Sequence, residues 1–539
     1  GNLKEAELYT RKAIELNPNF ANAYSNLGGL LRDLGNLKEA ELYTRKAIEL
    51  NPSFTMAYFN LGSILQDLGK LQEALDCYLK VIEINPLFSN IYSSITRFLQ
   101  DSDPSQLNKS KLKIILNLLL EKIDLPHNEL FKIFNFLYRD EIISNLQIFD
   151  SDLFKEKSSK IFINDHHIIN AFKKIAFKDI RLEKVLTNVR KYICYQIAEN
   201  KEEIRENQLQ FIIALGEQCF LNEYVYSLTE EENLSLNKII DRCKDSELNE
   251  TDISILSCYL PLYKLLNLIP NLKSFHSYNQ SFQGLMILQI SEPLKEIELS
   301  KSIKKLGKIN DNISQKVKSQ YEENPYPRWR YGNPLNEVKL SLSQVINNEI
   351  KPNSISQNIN TNKLKVLIAG CGTGHQILQT QKYKNAQVIA IDLSLSSLSY
   401  AQRKLNELGI NNVELIEMDI LEVSLLKDKF DIIECGGVLH HMDNPSEGLR
   451  ALLEVLTNNG FLKLGLYSEL ARQDVFTARN YITSKKLKPT TNDIRQFRED
   501  VISGTYPEIK NIQKRSSFYS ISECRDLCFH AQEHRFTIH

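Results

Sequence analysis

The sequence predicts a multi-domain chain: an α-helical repeat array, an α-helical middle region, and an α/β domain on a doubly wound parallel sheet. Three observations predict it. Gly1, Gly35 and Gly69 recur at a fixed 34-residue period. Residues 101–319 carry apolar side chains at helical spacing and little glycine. From residue 363, short apolar runs alternate with amphipathic stretches, and the first run ends in Gly370-Cys371-Gly372-Thr373-Gly374.

The repeat is read first. Pro18, Pro52 and Pro86 share the period of the glycines, as do Ala6, Ala40 and Ala74, and Tyr24, Tyr58 and Tyr92. Each unit is expected to be two helices. Gly35 breaks the turn between them, Ala40 and Ala47 are small where the helices cross, and Pro52 ends the second helix because the residue before a proline is pushed out of helical geometry. Such units bury their faces only against neighbours, so the array is expected to continue beyond Gly1. In the middle region, residues 111–122, 129–138, 207–220 and 255–268 have the helical period. Residues 101–105 read as a linker, and the charges of 301–318 as a solvated helix face. The aromatic residues within 211–226 read as core, and His166-His167 as solvent-facing or core. Residues 321–329, YEENPYPRW, cannot form a regular helix, because Pro325 and Pro327 bar it. They read equally as a lid or as a rigid strap.

After a Ser/Asn/Gln-rich stretch at 353–362, five strands are expected, at 363–369, 387–392, 413–419, 430–435 and 460–467, with helices at 393–408 and 445–456. Strand–helix alternation implies parallel pairing with helical crossovers. The glycine turn departs from the dinucleotide fingerprint, since His375 stands at its third glycine position. No Gly-Lys-Ser/Thr follows, so a phosphate-bearing ligand is not required. Asp392 and Asp419 end consecutive strands. A carboxylate at the first position accepts both hydroxyls of a ribose, and one at the second accepts from an adenine amine. Helix capping is the alternative role for each, but two acids at two consecutive strand ends fit one ligand.

The 34-residue pattern resembles tetratricopeptide repeats, which implies a concave groove for a protein or peptide partner, or a structural arm. The glycine turn with the two strand-end acids resembles the class I S-adenosylmethionine-dependent methyltransferases. That resemblance implies S-adenosyl-L-methionine as cofactor. It places Gly370, Gly372 and Gly374 beneath the methionine part, Asp392 at the ribose, Asp419 and Ile420 at adenine, and Glu434 and Cys435 along the cofactor, with Cys371 and Leu393 also counted among the cofactor-binding residues. Residues 438–442, VLHHM, resemble the segment after strand four in the ubiquinone and small-molecule branch, and residues 211–226 resemble a segment of bacterial proteins that join such repeats to a methyltransferase. His440 and His441 are the candidate catalytic bases, needed only if the nucleophile arrives protonated. Residues 434–437 read Glu-Cys-Gly-Gly, without the Pro-Pro pair of enzymes acting on adenine or glutamine amides and without the second glutamate of protein arginine methyltransferases. The domains implied are 1–99, 100–319 and 320–539, with the core at 363–467. The methyl acceptor is unidentified. The competing reading is an interaction scaffold that binds cofactor weakly or not at all.

Composition sets the remaining limits. The 539 residues are 42% hydrophobic and 25% charged, with 66 basic and 67 acidic side chains. That balance argues against a nucleic-acid partner or a polybasic membrane anchor, and no apolar run reaches membrane length. The nine cysteines contain no Cys-x-x-Cys pair and read as reduced thiols of a cytoplasmic protein. His530-Ala531-Gln532-Glu533-His534 matches an inverted zinc-protease motif. It lacks room for the downstream acidic ligand, so no metal is expected and a substrate-pocket or packing helix is. No hairpin is legible after residue 467, so the chain is expected to stop short of the sixth and seventh strands.

Overall fold

In the computed structural model, residues 3–146, 163–200, 204–332, 339–351, 353–355 and 363–537 are described. The chain divides into two compact units, 1–140 and 141–539. The Ser/Asn/Gln-rich stretch at 353–362 lies mostly outside the described residues, as do Gly1 and Asn2.

The first unit begins with antiparallel helical pairs: Leu3–Leu16, Ala21–Asp33, Leu37–Leu50, Thr55–Asp67, Leu71–Ile84 and Ile91–Asp101. The 34-residue period acts through sterics. A Cβ on Gly28 would lie 1.9 Å from Thr44 Oγ1, and one on Gly62 would lie 2.7 Å from the Tyr78 ring. Each glycine therefore sits where a first helix meets the second helix of its own repeat, against residues themselves one period apart. Ala40, Ala47 and Ala74 are fully buried at these crossings. The expected linker at 101–105 is instead the end of one helix and a 3-10 turn, Pro104–Gln106, capped by Asp103.

The second unit joins the middle region, the sheet and the C-terminal helices. Its sheet has six strands in the order β1-β4-β3-β2-β5-β6. They are β1 (Lys304–Lys305), β2 (Leu364–Ala369), β3 (Ala386–Asp392), β4 (Val413–Glu417), β5 (Phe430–Gly436) and β6 (Leu456–Gly465). All pairings are parallel. Apolar side chains from the two faces of the sheet build two cores, one around Val366, Ile368 and Leu398, the other around Leu367, Ile433 and Leu452. The helices that matter for the site are α1 (Asn312–Glu323), α2 (His375–Thr380), α3 (Leu395–Glu407), α4 (Pro445–Val455) and α5 (Ile521–Cys528).

Three expectations are corrected here. Residues 301–318 are not one helix face: Lys304 and Lys305 form the edge strand β1 and pair with Glu414 and Glu417 of β4. The last strand starts at Leu456 rather than Gly460. Residues 255–268 are not a helix, because helix Glu250–Leu256 stops ahead of Pro261 and a 3-10 turn, Leu262–Leu265, follows. Proline removes a donor and bars helical geometry before it. Among the described residues no helix is long and apolar enough to cross a membrane. None of the nine cysteines is in a disulfide, and eight are buried.

Candidate active site

The site forms where β2, β3, β4 and β5 end. The glycine turn after β2 takes positive φ at Gly370, Gly372 and Gly374, +81°, +53° and +86°. Gly372 is the most constrained. Its N–H donates to Asp392 Oδ2 at 2.8 Å, and a Cβ there would stand 2.5 Å from the Tyr326 carbonyl oxygen. Asp392 ends β3, and its other oxygen accepts from Ser394 N at 2.9 Å. Burial pushes the Asp392 carboxyl up to about 6, against the pull of these N–H groups. Asp419 follows β4, is 4% exposed, and accepts from Leu421 N at 3.0 Å. It caps the next turn and also faces the cavity, so the two roles coincide.

These groups open on one cavity of about 420 Å³, within the size range of small-molecule sites. Gly370, Cys371, Gly372, Asp392, Leu393, Asp419, Ile420 and His441 all line it. Four other expected residues do not. Gly374 caps α2 and packs on Ala401. Glu434 accepts from Tyr383 Oη at 2.9 Å. Cys435 is fully buried among the residues of the second core. Gly436 and Gly437 line the cavity in place of Glu434 and Cys435. His440 has no exposure and lies stacked on Tyr467 with ring centroids 3.6 Å apart. Burial pushes its imidazole down to about 3, and among the described residues neither ring nitrogen has a partner. It is a packing residue whose burial favours the neutral imidazole.

The YEENPYPRW segment is both strap and wall. Tyr321, Tyr326 and Pro327 line the cavity. Thr373 N donates to the Tyr326 carbonyl at 3.3 Å, and Trp329 Nε1 donates to the Thr373 carbonyl at 3.1 Å. Glu322 caps the start of α3, accepting from Leu395 N at 2.6 Å and Ser396 N at 3.1 Å. Arg330 reaches back to Glu217 in the middle region at 2.5 Å. The segment is therefore bolted at both ends across the glycine turn.

The far wall comes from the end of the chain. Asp526, on α5, lines the cavity at 6% exposure and accepts from Tyr321 Oη at 2.6 Å. Residues 529–537 run back along the sheet, with His534 N donating to the His440 carbonyl at 2.7 Å and Phe536 N to the Tyr467 carbonyl at 2.9 Å. The expected helix through His530–His534 is absent: α5 ends at Cys528. Glu533 pairs with Arg472 at 2.7 Å, and His534 Nε2 meets the Met442 carbonyl at 3.0 Å. His530 stacks on His441, centroids 3.5 Å apart and planes at 21°. Together with Asp526 these rings bring three ligand-type atoms within 4.8 Å. Near-parallel rings send their lone pairs out side by side, however, whereas a metal needs them to converge on a point about 2.0–2.1 Å from each.

Asp526, Tyr326 and Tyr467 also line the cavity, and sequence reasoning did not assign them there. The proline-rich strap was the available signal for Tyr326. For Asp526, an acid on a short amphipathic helix, there was none.

The arrangement fits an adenosyl ligand. A Cβ would fill the cradle at Gly372, the buried Ser397 hydroxyl at the cavity wall has no partner, and two acids sit at adjacent strand ends. A methyltransferase-domain family profile matches residues 360–526, and a tetratricopeptide-repeat profile matches 21–54 and 56–88. Over 113 residues the chain is 34% identical to an uncharacterized protein of Synechococcus sp., spanning 21% of this chain and 27% of that one. It is 26% identical over 152 residues to a ubiquinone biosynthesis O-methyltransferase of Pseudomonas fluorescens, spanning 28% and 65%. Among solved structures, PKMT2 from Rickettsia typhi aligns at 23% identity with a TM-score of 0.28, over 33% of this chain and 36% of that one. The chain thus spans less than two thirds of the length of these relatives. It carries tetratricopeptide repeats and a class I methyltransferase domain, whose cofactor is S-adenosylmethionine.

Proposed function

We propose that the second unit transfers the methyl group of S-adenosylmethionine to a nucleophile held between the strap and α5, and that the repeats bind a protein partner. The observation that carries this reading is that the Gly370–Gly372 backbone, Asp392 and Asp419 line one cavity. The cofactor supplies a methyl carbon already activated on a sulfonium, so the protein has to align and desolvate more than it has to react. Asp392 accepts the ribose hydroxyls. Asp419 and Ile420 address adenine, and the Ser397 hydroxyl gains the partner it lacks. The Gly370–Gly372 backbone passes beneath the methionine part. The strap excludes water above the turn.

His441 is the residue placed to take a proton. Its Nδ1 faces the Gln532 carbonyl at 2.7 Å, so Nδ1 carries the hydrogen and Nε2 the lone pair. Burial holds its imidazole below the ordinary histidine value. It is therefore neutral, and able to accept, at neutral pH.

The state of Asp392 sets a pH dependence. Only the charged carboxylate accepts both ribose hydroxyls, and its carboxyl sits at about 6. Affinity for S-adenosylhomocysteine is expected to be full above about pH 7 and to fall as pH drops through 6, approaching tenfold per pH unit. Asp392→Asn flattens that profile. The ligand-free fold behaves oppositely. The folded value lies above the unfolded one, so this group's stabilisation is present below about pH 4 and lost as pH rises through 6. Calorimetric titration at a series of pH values checks the binding; a flat wild-type profile contradicts it. The reading as a whole is tested by titrating the full chain with S-adenosylmethionine and with NAD, expecting saturation by the first alone.

A further inference from the structure

Resting on that cofactor reading, we propose that the methyl acceptor enters as a protonated aliphatic amine, held by the Asp526 carboxylate beside the Tyr326 ring. The argument is one of charge. Among the described residues lining the cavity there are three carboxylates, Asp392, Asp419 and Asp526, and no lysine or arginine. The first two stand at the strand ends and belong to the adenosyl group. Asp526 is left over.

Its surroundings do not neutralise it. Asp526 is 6% exposed, and among the described residues its one side-chain partner is the Tyr321 hydroxyl at 2.6 Å and no cationic side chain lies within ion-pair distance. The nearby guanidiniums are committed elsewhere: Arg472 to Glu533 at 2.7 Å and Arg525 to Glu323 at 2.9 Å. A buried carboxylate without a cation is costly, and a cationic ligand removes that cost. A neutral hydroxyl acceptor would leave it, and an anionic acceptor would add to it.

The hydrogen-bonding pattern agrees. An ammonium offers three donors and no acceptor. The acceptor side offers the second Asp526 oxygen and His441 Nε2, whose ring has spent its donor on Gln532. Tyr321 and Tyr326 lie with ring centroids 6.2 Å apart and planes at 19°, and electron-rich rings of this kind attract a cation at their faces. Tyr467, covered by His440 on one side and by the Arg472 guanidinium at 3.7 Å, contributes its edge. The amine gives up one proton to His441 Nε2, from which it passes to solvent. Its lone pair then takes the methyl group, the carbon–sulfur bond breaks, and a methylated ammonium and a neutral thioether result.

The test is calorimetric titration of the full chain, loaded with S-adenosylhomocysteine, with n-butylammonium chloride, n-butanol and sodium butyrate at matched ionic strength. The ammonium is expected to saturate the protein and the other two are not. Asp526→Asn, which keeps the side-chain shape, is expected to weaken the ammonium by about tenfold or more, the worth of one charge-assisted hydrogen bond. Tyr326→Leu is expected to weaken it severalfold, and it carries the test if the Asp526 variant loses its thermal midpoint. Equal binding of butanol or butyrate, unchanged ammonium affinity in both variants, or saturable Zn²⁺ binding in place of the ammonium overturns the proposal. A chain that binds S-adenosylhomocysteine but no ammonium sinks this proposal alone. A chain that takes up no S-adenosylhomocysteine overturns the cofactor reading beneath it as well.

Discussion

Glu183→Ala is expected to lower the unfolding free energy of the second unit by about 3–5 kcal/mol, the cost of stranding a buried charge. Arg498 is 1% exposed and holds both oxygens of Glu183, at 3.0 and 2.7 Å. Its Nε donates to the Phe518 carbonyl at 2.9 Å. The pair ties helix Ile180–Ala198 of the middle region to helix Thr491–Ser503 near the chain's end. Burial pushes the Glu183 carboxyl up while Arg498 opposes the shift; the two-point geometry is that of an ion pair, and we take it as charged. Removing Glu183 leaves the guanidinium with no anion in a dry interior. Replacing both partners, as in Glu183→Leu with Arg498→Met, is expected to recover most of the loss, because desolvation of both charges is then avoided. Urea midpoints of the three variants decide. A shift under about 1 kcal/mol for Glu183→Ala would mean that the pair is not closed in solution.

Gly372→Val is expected to abolish cofactor binding, with at least about a hundredfold loss of affinity for S-adenosylhomocysteine, roughly 3 kcal/mol. Two effects add. A β-branched residue at φ +53° is a genuine outlier, and its Cβ would stand 2.5 Å from the Tyr326 carbonyl. The contact is with backbone and not with a flexible side-chain tip, so either the strap lifts or the turn reorganises. The first opens the cavity at Tyr326, and the second displaces the Gly372 N–H from Asp392. Gly409→Val, also at positive φ but with nothing within 4 Å of its Cβ, is the control. It carries the backbone strain without the clash and leaves binding intact.

Much of this was legible in the sequence, for physical reasons that differ by region. The repeats show because each crossing needs the same small residue at the same place, so Gly28 and Gly62 are fixed by the partners they touch. The sheet shows because strands buried on both faces are continuous apolar runs. Asp392 shows because a carboxylate at that strand end, 18 residues past Gly374, has few other uses. Legibility failed where the meaning of a residue lies in distant chain. Glu434 lies near the end of the fourth expected strand, within β5, but Tyr383 captures it. His440 and His441 are adjacent, yet one is buried under Tyr467 and the other faces the cavity, a difference of side-chain direction that spacing does not carry. Asp526 reaches the site because Arg498 and residues 529–537 bring the end of the chain back over the sheet. The His530–His534 spacing looked like a helix face, and an extended segment took it apart.

The most direct measurement is calorimetric titration of S-adenosylmethionine, and separately of NAD, into the wild-type chain and Asp392→Ala at about pH 8, where the carboxylate is ionised. The account predicts saturable binding of S-adenosylmethionine to the wild type, no saturation by NAD, and a loss of at least about thirtyfold in the variant, the worth of a charge-assisted hydrogen bond to the ribose or more. Saturation by NAD, or S-adenosylmethionine binding that survives Asp392→Ala unchanged, would contradict it.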